Sequence, residues 1–445
     1  MEESLLNTGD TAWVLTSAAL VLLMLPGLAL FYGGMTRSKS TLNMMMMVFG
    51  ATFLVGVLWV IFGYSITFGT DGGSGFWGNP TEYLGLESLM TDDPEAALPA
   101  MAFVAFQAMF AAITVALIAG AIADRAKFGV WLIFAGIWAT IVYFPVAHWV
   151  WSAGGWIFEG LGPLNGTPAI DFAGGTAVHI NAGVAGLALA IILGKRLGWP
   201  KTPMKPHNLT LVMLGAGLLW FGWFGFNAGS ALSAGNTAAV VFLNTFAATC
   251  AAAIGWLLVE RFRDGHATSL GAASGVVAGL VAITPACSAV SPMGALILGL
   301  IAGVLCALAV GLKYKLGYDD SLDVVGVHLV GGLVGTLLIG FLATEAAPAG
   351  VNGLFYGGGT TQLASQAIAA FAVLAFSFIV TLVIAKILDL VIGFRVTEDD
   401  EVAGVDRTIH AETAYELSET GAGGQFAGLS AHSAAKAQKE IEVKA

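Results

Sequence analysis

Apolar residues in this chain come in long unbroken runs, with polar positions confined to the short gaps between them. Eleven runs are long enough, at about 20 residues, to cross a hydrocarbon core as helices. They lie at roughly 11–35, 42–67, 100–123, 128–152, 171–194, 208–230, 237–260, 268–286, 292–312, 322–343 and 362–392. The pattern predicts an all-α polytopic membrane protein of eleven transmembrane helices. Lysine and arginine sort these gaps into two classes. Arg37 and Lys39 follow the first span, Arg125 and Lys127 the third, and Lys195, Arg196, Lys201 and Lys205 the fifth. Arg261 and Arg263 follow the seventh, Lys313 and Lys315 the ninth, and the remainder lie at the end of the eleventh span or in the tail. The even-numbered gaps hold none. Cytoplasmic loops carry the Lys/Arg excess, so the N-terminus is expected outside and the C-terminus in the cytoplasm.

Within the spans, one pattern occurs twice. Asp171-Phe-Ala-Gly-Gly-Thr-Ala-Val-His179 and Asp320-Ser-Leu-Asp-Val-Val-Gly-Val-His328 each place an Asp eight residues before a His, and each continues into a glycine-rich apolar helix. An ionisable side chain inside a membrane span is costly and marks a functional site. Span five runs inward and span ten outward, so the two copies are inverted. This predicts an inverted five-plus-five repeat, with halves at about 11–194 and 208–343 and a separate final helix at 362–392. Such repeats place a site near the midplane. Counted as helix from the Asp, each histidine would lie about 12 Å deep, arriving from opposite faces. Asp171 and Asp320 suit helix N-termini, where a carboxylate caps free N–H groups.

Composition supports the membrane reading: 57% of residues are hydrophobic and only 11% charged, less than half the charge of an ordinary soluble protein. The 59 glycines fit close helix contacts in lipid. Cys250, Cys287 and Cys306 make no disulfide or metal pattern. A metal site would need three or four ligands, and the two histidines lack further ones at matching depth. No cofactor is expected. The first residues, Met-Glu-Glu-Ser, lack the basic start of a secretory signal, and the first apolar run reads as a retained helix. The acidic gap at 70–99 reads as a solvated loop with a weak pull on cations.

Aromatic residues cluster at the outer ends of several spans. Phe106 and Phe110 lie one helical turn apart. Trp149 and Trp151 close span four, and Trp223, Phe226 and Ser230 end span six. Singly these are belt or packing residues; together they could form a cup that attracts a compact cation through ring faces.

These residues carry a resemblance. Asp171 to Asn181, Gly222-Trp-Phe-Gly-Phe-Asn-Ala-Gly-Ser230, Thr284-Pro-Ala-Cys287 and Asp323-Val-Val-Gly-Val-His328 resemble the Amt branch of the ammonium transporter (Amt/Rh) family. The resemblance extends over residues 10–415. It implies a multi-pass cell-membrane protein that recruits ammonium (and methylammonium) at Trp151, Phe106 and Ser230, with Asp171 as the supporting carboxylate. Phe110 and Phe226 would then gate the pore, and His179, His328 and Trp223 would line it. It also implies a homotrimer. In prokaryotic relatives a PII-type nitrogen-signalling protein docks on the cytoplasmic face. Residues 393–415 resemble the family's cytoplasmic regulatory segment, with Phe394, Val405 and Ala411 departing from its usual residues. Residues 416–445, rich in Gly, Ala and Ser, are expected to be disordered. Three rivals are an ammonium sensor signalling through the tail, a neutral gas channel of the Rh type and an intramembrane enzyme. The last lacks an activated nucleophile at the right depth, and a potassium channel would need a carbonyl filter that is missing. The transporter is therefore the reading taken, with no enzymatic activity, and with passage of ammonia alone or with a proton left open.

Overall fold

The computed structural model describes residues 5–91, 93, 95–202 and 204–415. The tail expected to be disordered lies outside the described residues. These residues fold into helices with no strands beyond isolated bridges. Ten helices are long and apolar enough to cross a membrane: α1 (Thr8–Met35), α2 (Ser38–Phe68), α3 (Ala100–Ile122), α4 (Phe128–Trp151), α5 (Gly175–Leu193), α6 (Leu209–Gly229), α7 (Asn236–Arg263), α9 (Pro292–Leu316), α10 (Val325–Leu342) and α11 (Thr361–Ile392). Between α7 and α9 lies a shorter apolar helix, α8 (Ser269–Ile283).

Helix α8 ends three residues before the expected span at 268–286 and, unlike the others, is too short to count as a crossing helix. Its 15 residues reach only about 22 Å. Pro285 disfavours helix at the residue before it and cannot donate a main-chain hydrogen bond, so the chain leaves the helix after Ile283 and turns through Thr284–Val290. The other spans match to within a few residues. Their outward faces carry exposed apolar side chains, such as Phe53, Phe221, Phe371 and Ile387, that suit hydrocarbon.

The gaps after the first, third, fifth and ninth spans meet at one end of the bundle. Asp124, after α3, pairs with Arg37 and Arg196, each at 3.2 Å. Arg196, after α5, grips Asp319, after α9, through Nε at 2.9 Å, Nη2 at 2.8 Å and its backbone N–H at 2.8 Å. Glu401, on the short helix α12 (Glu398–Ala403), accepts from Arg395 at 2.8 Å and from the Leu197 N–H at 2.8 Å. Asp406, on α13 (Val405–His410), accepts the N–H groups of Leu42 and Asn43 at 3.0 and 2.7 Å, capping a helix start as a carboxylate should. The tail therefore docks on the same end as the basic loops. Ala411 closes α13 in a left-handed conformation, φ 55°, one that glycine adopts more cheaply. The start of α1 lies at the opposite end, where the Asn7 N–H meets the Ala97 carbonyl at 2.9 Å.

Burial pushes the Asp319 carboxyl up, but the Arg196 hydrogen bonds, with the charges of Arg196 and Arg125, hold it below the ordinary aspartate value. A carboxylate depressed in the fold stabilises it above the unfolded-state pKa and loses that contribution as pH falls through the folded-state one. Asp319→Asn leaves Arg196 short of a charge partner in a buried site, at a cost of about 3–5 kcal/mol. The detergent-solubilised variant should melt well below wild type at pH 7, and the gap should shrink below the carboxylate range. Coincident melting curves at pH 7 would remove this network from the account of stability.

Candidate functional site

The two histidines sit on matching local structure. Each lies in a π-helical turn, Gly175–Ile180 and Val325–Leu329, that opens a glycine-rich helix. Such one-turn widenings inside helices often accompany functional sites. The preceding carboxylates cap both starts. Asp171 accepts the N–H groups of Gly174, Gly175, Thr176 and Ala177 at 2.5–3.0 Å, along with the Thr176 hydroxyl. Asp320 accepts those of Val324 and Val325 at 3.1 and 2.7 Å.

This geometry corrects the expected route to mid-depth. Residues 171–174 and 320–323 are not helical. His179 and His328 therefore stand within the first turns of their helices, rather than eight helical residues along. The segment leading from each Asp to its histidine helix is non-helical backbone. The outcome is still a pair: His179 Nδ1 and His328 Nδ1 are 3.3 Å apart, with ring centroids 5.4 Å apart and planes within 22°. One nitrogen must donate and the other accept, so the two tautomers are linked.

Glycine permits this approach. Gly183 follows His179 by four residues, and Gly332 follows His328 by four. A Cβ on Gly183 would overlap the Leu329 backbone nitrogen. One on Gly332 would lie 3.0 Å from the Gly175 carbonyl and 3.1 Å from His179 Cβ. The two helices thus cross reciprocally, each glycine seated against the other histidine segment.

The aromatic residues gather above the pair. Phe106, Phe110, Trp151, Asp171 and Ser230 line one cavity of about 420 Å³, together with Phe103, Gln107 and Phe172. Phe110 stacks on Phe226 with centroids 4.2 Å apart and meets Trp151 edge-on at 5.8 Å. Phe226 in turn faces a second space, of about 10 Å³, lined by Trp223, His179, His328 and apolar side chains including Leu28, Phe31 and Val277. That is about the room one water needs. The stacked rings separate the two spaces.

Polar groups fix this arrangement. The Trp151 indole donates to the Asp171 carbonyl at 2.9 Å. The Ser230 hydroxyl donates to the Phe226 carbonyl at 2.8 Å, so its lone pairs remain free to accept. Among the described residues, His179 Nε2 is buried without a hydrogen-bond partner.

Two contributors escaped the sequence reading. Thr284 accepts the Trp223 indole N–H at 2.9 Å, holding that ring parallel to His179 at 5.5 Å and 19°. Its place in the Thr284-Pro-Ala-Cys287 string was the available signal. His148 shows in the sequence only as a neighbour of Trp149. Its Nε2 is 3.1 Å from Asp71 and its Nδ1 is 2.8 Å from the Thr67 carbonyl, which ties the loop after α2 to the end of α4 that carries Trp151. Burial pushes the Asp71 carboxyl up, but the N–H groups of Gly75 and Gly73 and the His148 ring bring it below its ordinary value.

The model of the Ammonium Transporter Family matches residues 12–415. An ammonium transporter of Mycobacterium tuberculosis is 61% identical over 432 residues, covering 92% of this chain and 90% of that protein. One of Bacillus subtilis is 47% identical over 415 residues, covering 92% and 99%. Among solved structures, Saccharomyces cerevisiae Mep2 superposes with a TM-score of 0.80 at 33% identity over 88% of each chain. A sensor Amt protein superposes with a TM-score of 0.81 at 29% identity, over 89% of this chain and 97% of that one.

Gly183→Ala should force α5 and α10 apart and lower the melting temperature of the purified protein, by the equivalent of about 1–3 kcal/mol for an overpacked contact. Gly332→Ala, where the clearance is larger, should cost less. Equal melting of both variants and wild type would show that the crossing tolerates separation.

Proposed function

This chain belongs to the Ammonium Transporter Family and is an ammonium transporter of the multi-pass membrane type, and on that premise we propose how its residues move the substrate. Ammonium enters the aromatic cup, gives up a proton there to outer solvent water, and crosses as ammonia between Phe110 and Phe226 and along His179 and His328. The observation that carries this reading is the stacked ring pair standing between a 420 Å³ cup and a 10 Å³ histidine-lined space.

The physical reason is the cost of charge. An unpaired ion in a low-dielectric interior costs tens of kcal/mol in the Born limit, of order 20 for an ammonium-sized ion. Neutral ammonia costs far less. In the cup, Trp151, Phe106 and Phe110 offer ring faces to the cation, and the Ser230 lone pairs accept one of its N–H groups. Asp171 supports the site through its carbonyl bond to Trp151 and through its charge. Below the rings, His179 and His328 line the path, with Trp223 beside them.

The 3.3 Å contact between the imidazoles favours a second reading, in which the pair also relays the released proton and transport carries charge. In either reading the cup is the outer mouth, the N-terminus is outside and the C-terminus cytoplasmic. Helix α8 with its following turn serves as the eighth of eleven spans, in a five-plus-five inverted repeat within residues 1–392. The protein acts in the cell membrane as a homotrimer. The docked segment 393–415 is the regulatory face, where a PII-type protein would bind.

Currents from proteoliposomes on a solid-supported membrane test both readings. Ammonium and methylammonium should give current and potassium none if the proton is coupled, whereas ammonia-only passage gives flux without current. His179→Ala and His328→Ala should change flux or its charge coupling while still inserting in the membrane; wild-type rates and selectivity in both would end the twin-histidine role. Trp151→Leu should raise the ammonium concentration for half-maximal transport about tenfold, for loss of one cation–ring contact of about 0.5–2 kcal/mol. No change would take the cup out of the mechanism.

A further inference from the structure

One side chain on the last membrane helix holds both halves of the site together. Gln366 lies one turn after Gln362 near the start of α11 and is fully buried. Its side-chain oxygen accepts the Ile170 N–H at 2.6 Å and the Gln362 amide at 3.0 Å. Its nitrogen donates to the Ile170 carbonyl at 2.8 Å and to the Thr336 carbonyl at 3.2 Å. A primary amide has two donors and two acceptor lone pairs, and all four are engaged.

The partners are placed where they matter. Ile170 directly precedes Asp171, whose carbonyl holds the Trp151 indole and whose carboxylate starts the His179 helix. Thr336 lies eight residues beyond His328 on α10. Gln366 takes both main-chain groups of Ile170 at once, as a neighbouring strand would, and so fixes that residue in height and rotation. Gln362 adds a hydrogen bond to the Pro168 carbonyl at 3.1 Å.

We propose that Gln366 is a positioning residue for ammonium recruitment: by clamping Ile170 against α10, it sets where Asp171 and Trp151 stand in the cup. This inference rests on the recruitment role of the cup proposed above. Helix adhesion alone would need partners for a buried amide, but it would not need both main-chain groups of the residue before Asp171 to be among them.

The experiment compares wild type, Gln366→Leu, Gln366→Glu and Trp151→Leu as full-length protein in proteoliposomes, by ammonium-evoked flux or current. Gln366→Leu should raise the half-saturating ammonium concentration about tenfold, the order expected for one to two lost hydrogen bonds, with maximal transport within about threefold of wild type. Gln366→Glu at pH 5 should stay within about threefold on both measures, because a protonated carboxyl can still accept the Ile170 N–H and donate to the Ile170 carbonyl, losing only the bond to Thr336. A wild-type half-saturation value in Gln366→Leu, with Trp151→Leu raised, overturns this inference alone. An unaltered Trp151→Leu overturns it together with the cup. Maximal transport falling in parallel with affinity in both Gln366 variants reduces Gln366 to a structural role and also overturns it.

Discussion

The reciprocal crossing of α5 and α10 is the constraint on which the remaining structure depends. Two imidazoles meet at 3.3 Å only because each helix presents a bare glycine to the other's histidine segment. Close approach has a cost in a membrane interior, since backbone groups outside regular helix must find partners within the protein. Asp171 and Asp320 meet that demand at the two helix starts, and the π-helical turns let the histidine side chains project from backbone already crowded by the crossing. A conventional helix start without the carboxylate would leave several N–H groups bare in the least forgiving part of the molecule.

Further layers orient that pair. Trp223 lies parallel to His179 because Thr284 takes its N–H. Phe226 has the His179 ring on one side, with centroids 6.1 Å apart, and the Phe110 ring stacked on the other, so the stacked rings adjoin the histidines. Trp151 and Ser230 are tied to the same framework through the carbonyls of Asp171 and Phe226. A displacement of α5 would therefore move the cup, the stacked rings and the imidazoles together.

Much of this was legible in the chain, for definable reasons. Spans were readable because apolar runs must match a hydrocarbon thickness, and the histidines because an Asp eight residues before a His occurs twice. The sharing of one end by the basic loops was readable from Lys and Arg alone, through gaps that now meet at Asp124, Asp319 and Glu401. The early end of α8 was signalled by Pro285, but the apolar run passes through it and hides the boundary. The non-helical approach to each histidine was illegible for a related cause. Spacing and hydropathy alone do not tell the non-helical stretch from Asp171 to Gly174 apart from a first helical turn. Gln366 and Ile170 are 196 positions apart, and no local pattern reports a side chain that completes another segment's backbone hydrogen bonds.

The hydrogen-bond inventory also narrows where a proton can go. Asp171 is the carboxylate lining the cup, yet its two oxygens accept five donors, more than the roughly four lone-pair sites of a carboxylate, so some are shared. Taking a proton there would displace a donor that holds the start of α5, and the His179 turn with it. The imidazoles are differently placed. Their Nδ1 atoms face each other, and His179 Nε2 is buried with no partner among the described residues, beside a space of about one water's size. A group that must both meet a passing molecule and exchange a hydrogen bond with it needs an uncommitted ring nitrogen. Asp171 is therefore committed to holding the start of α5, whereas the histidine pair keeps a ring nitrogen uncommitted.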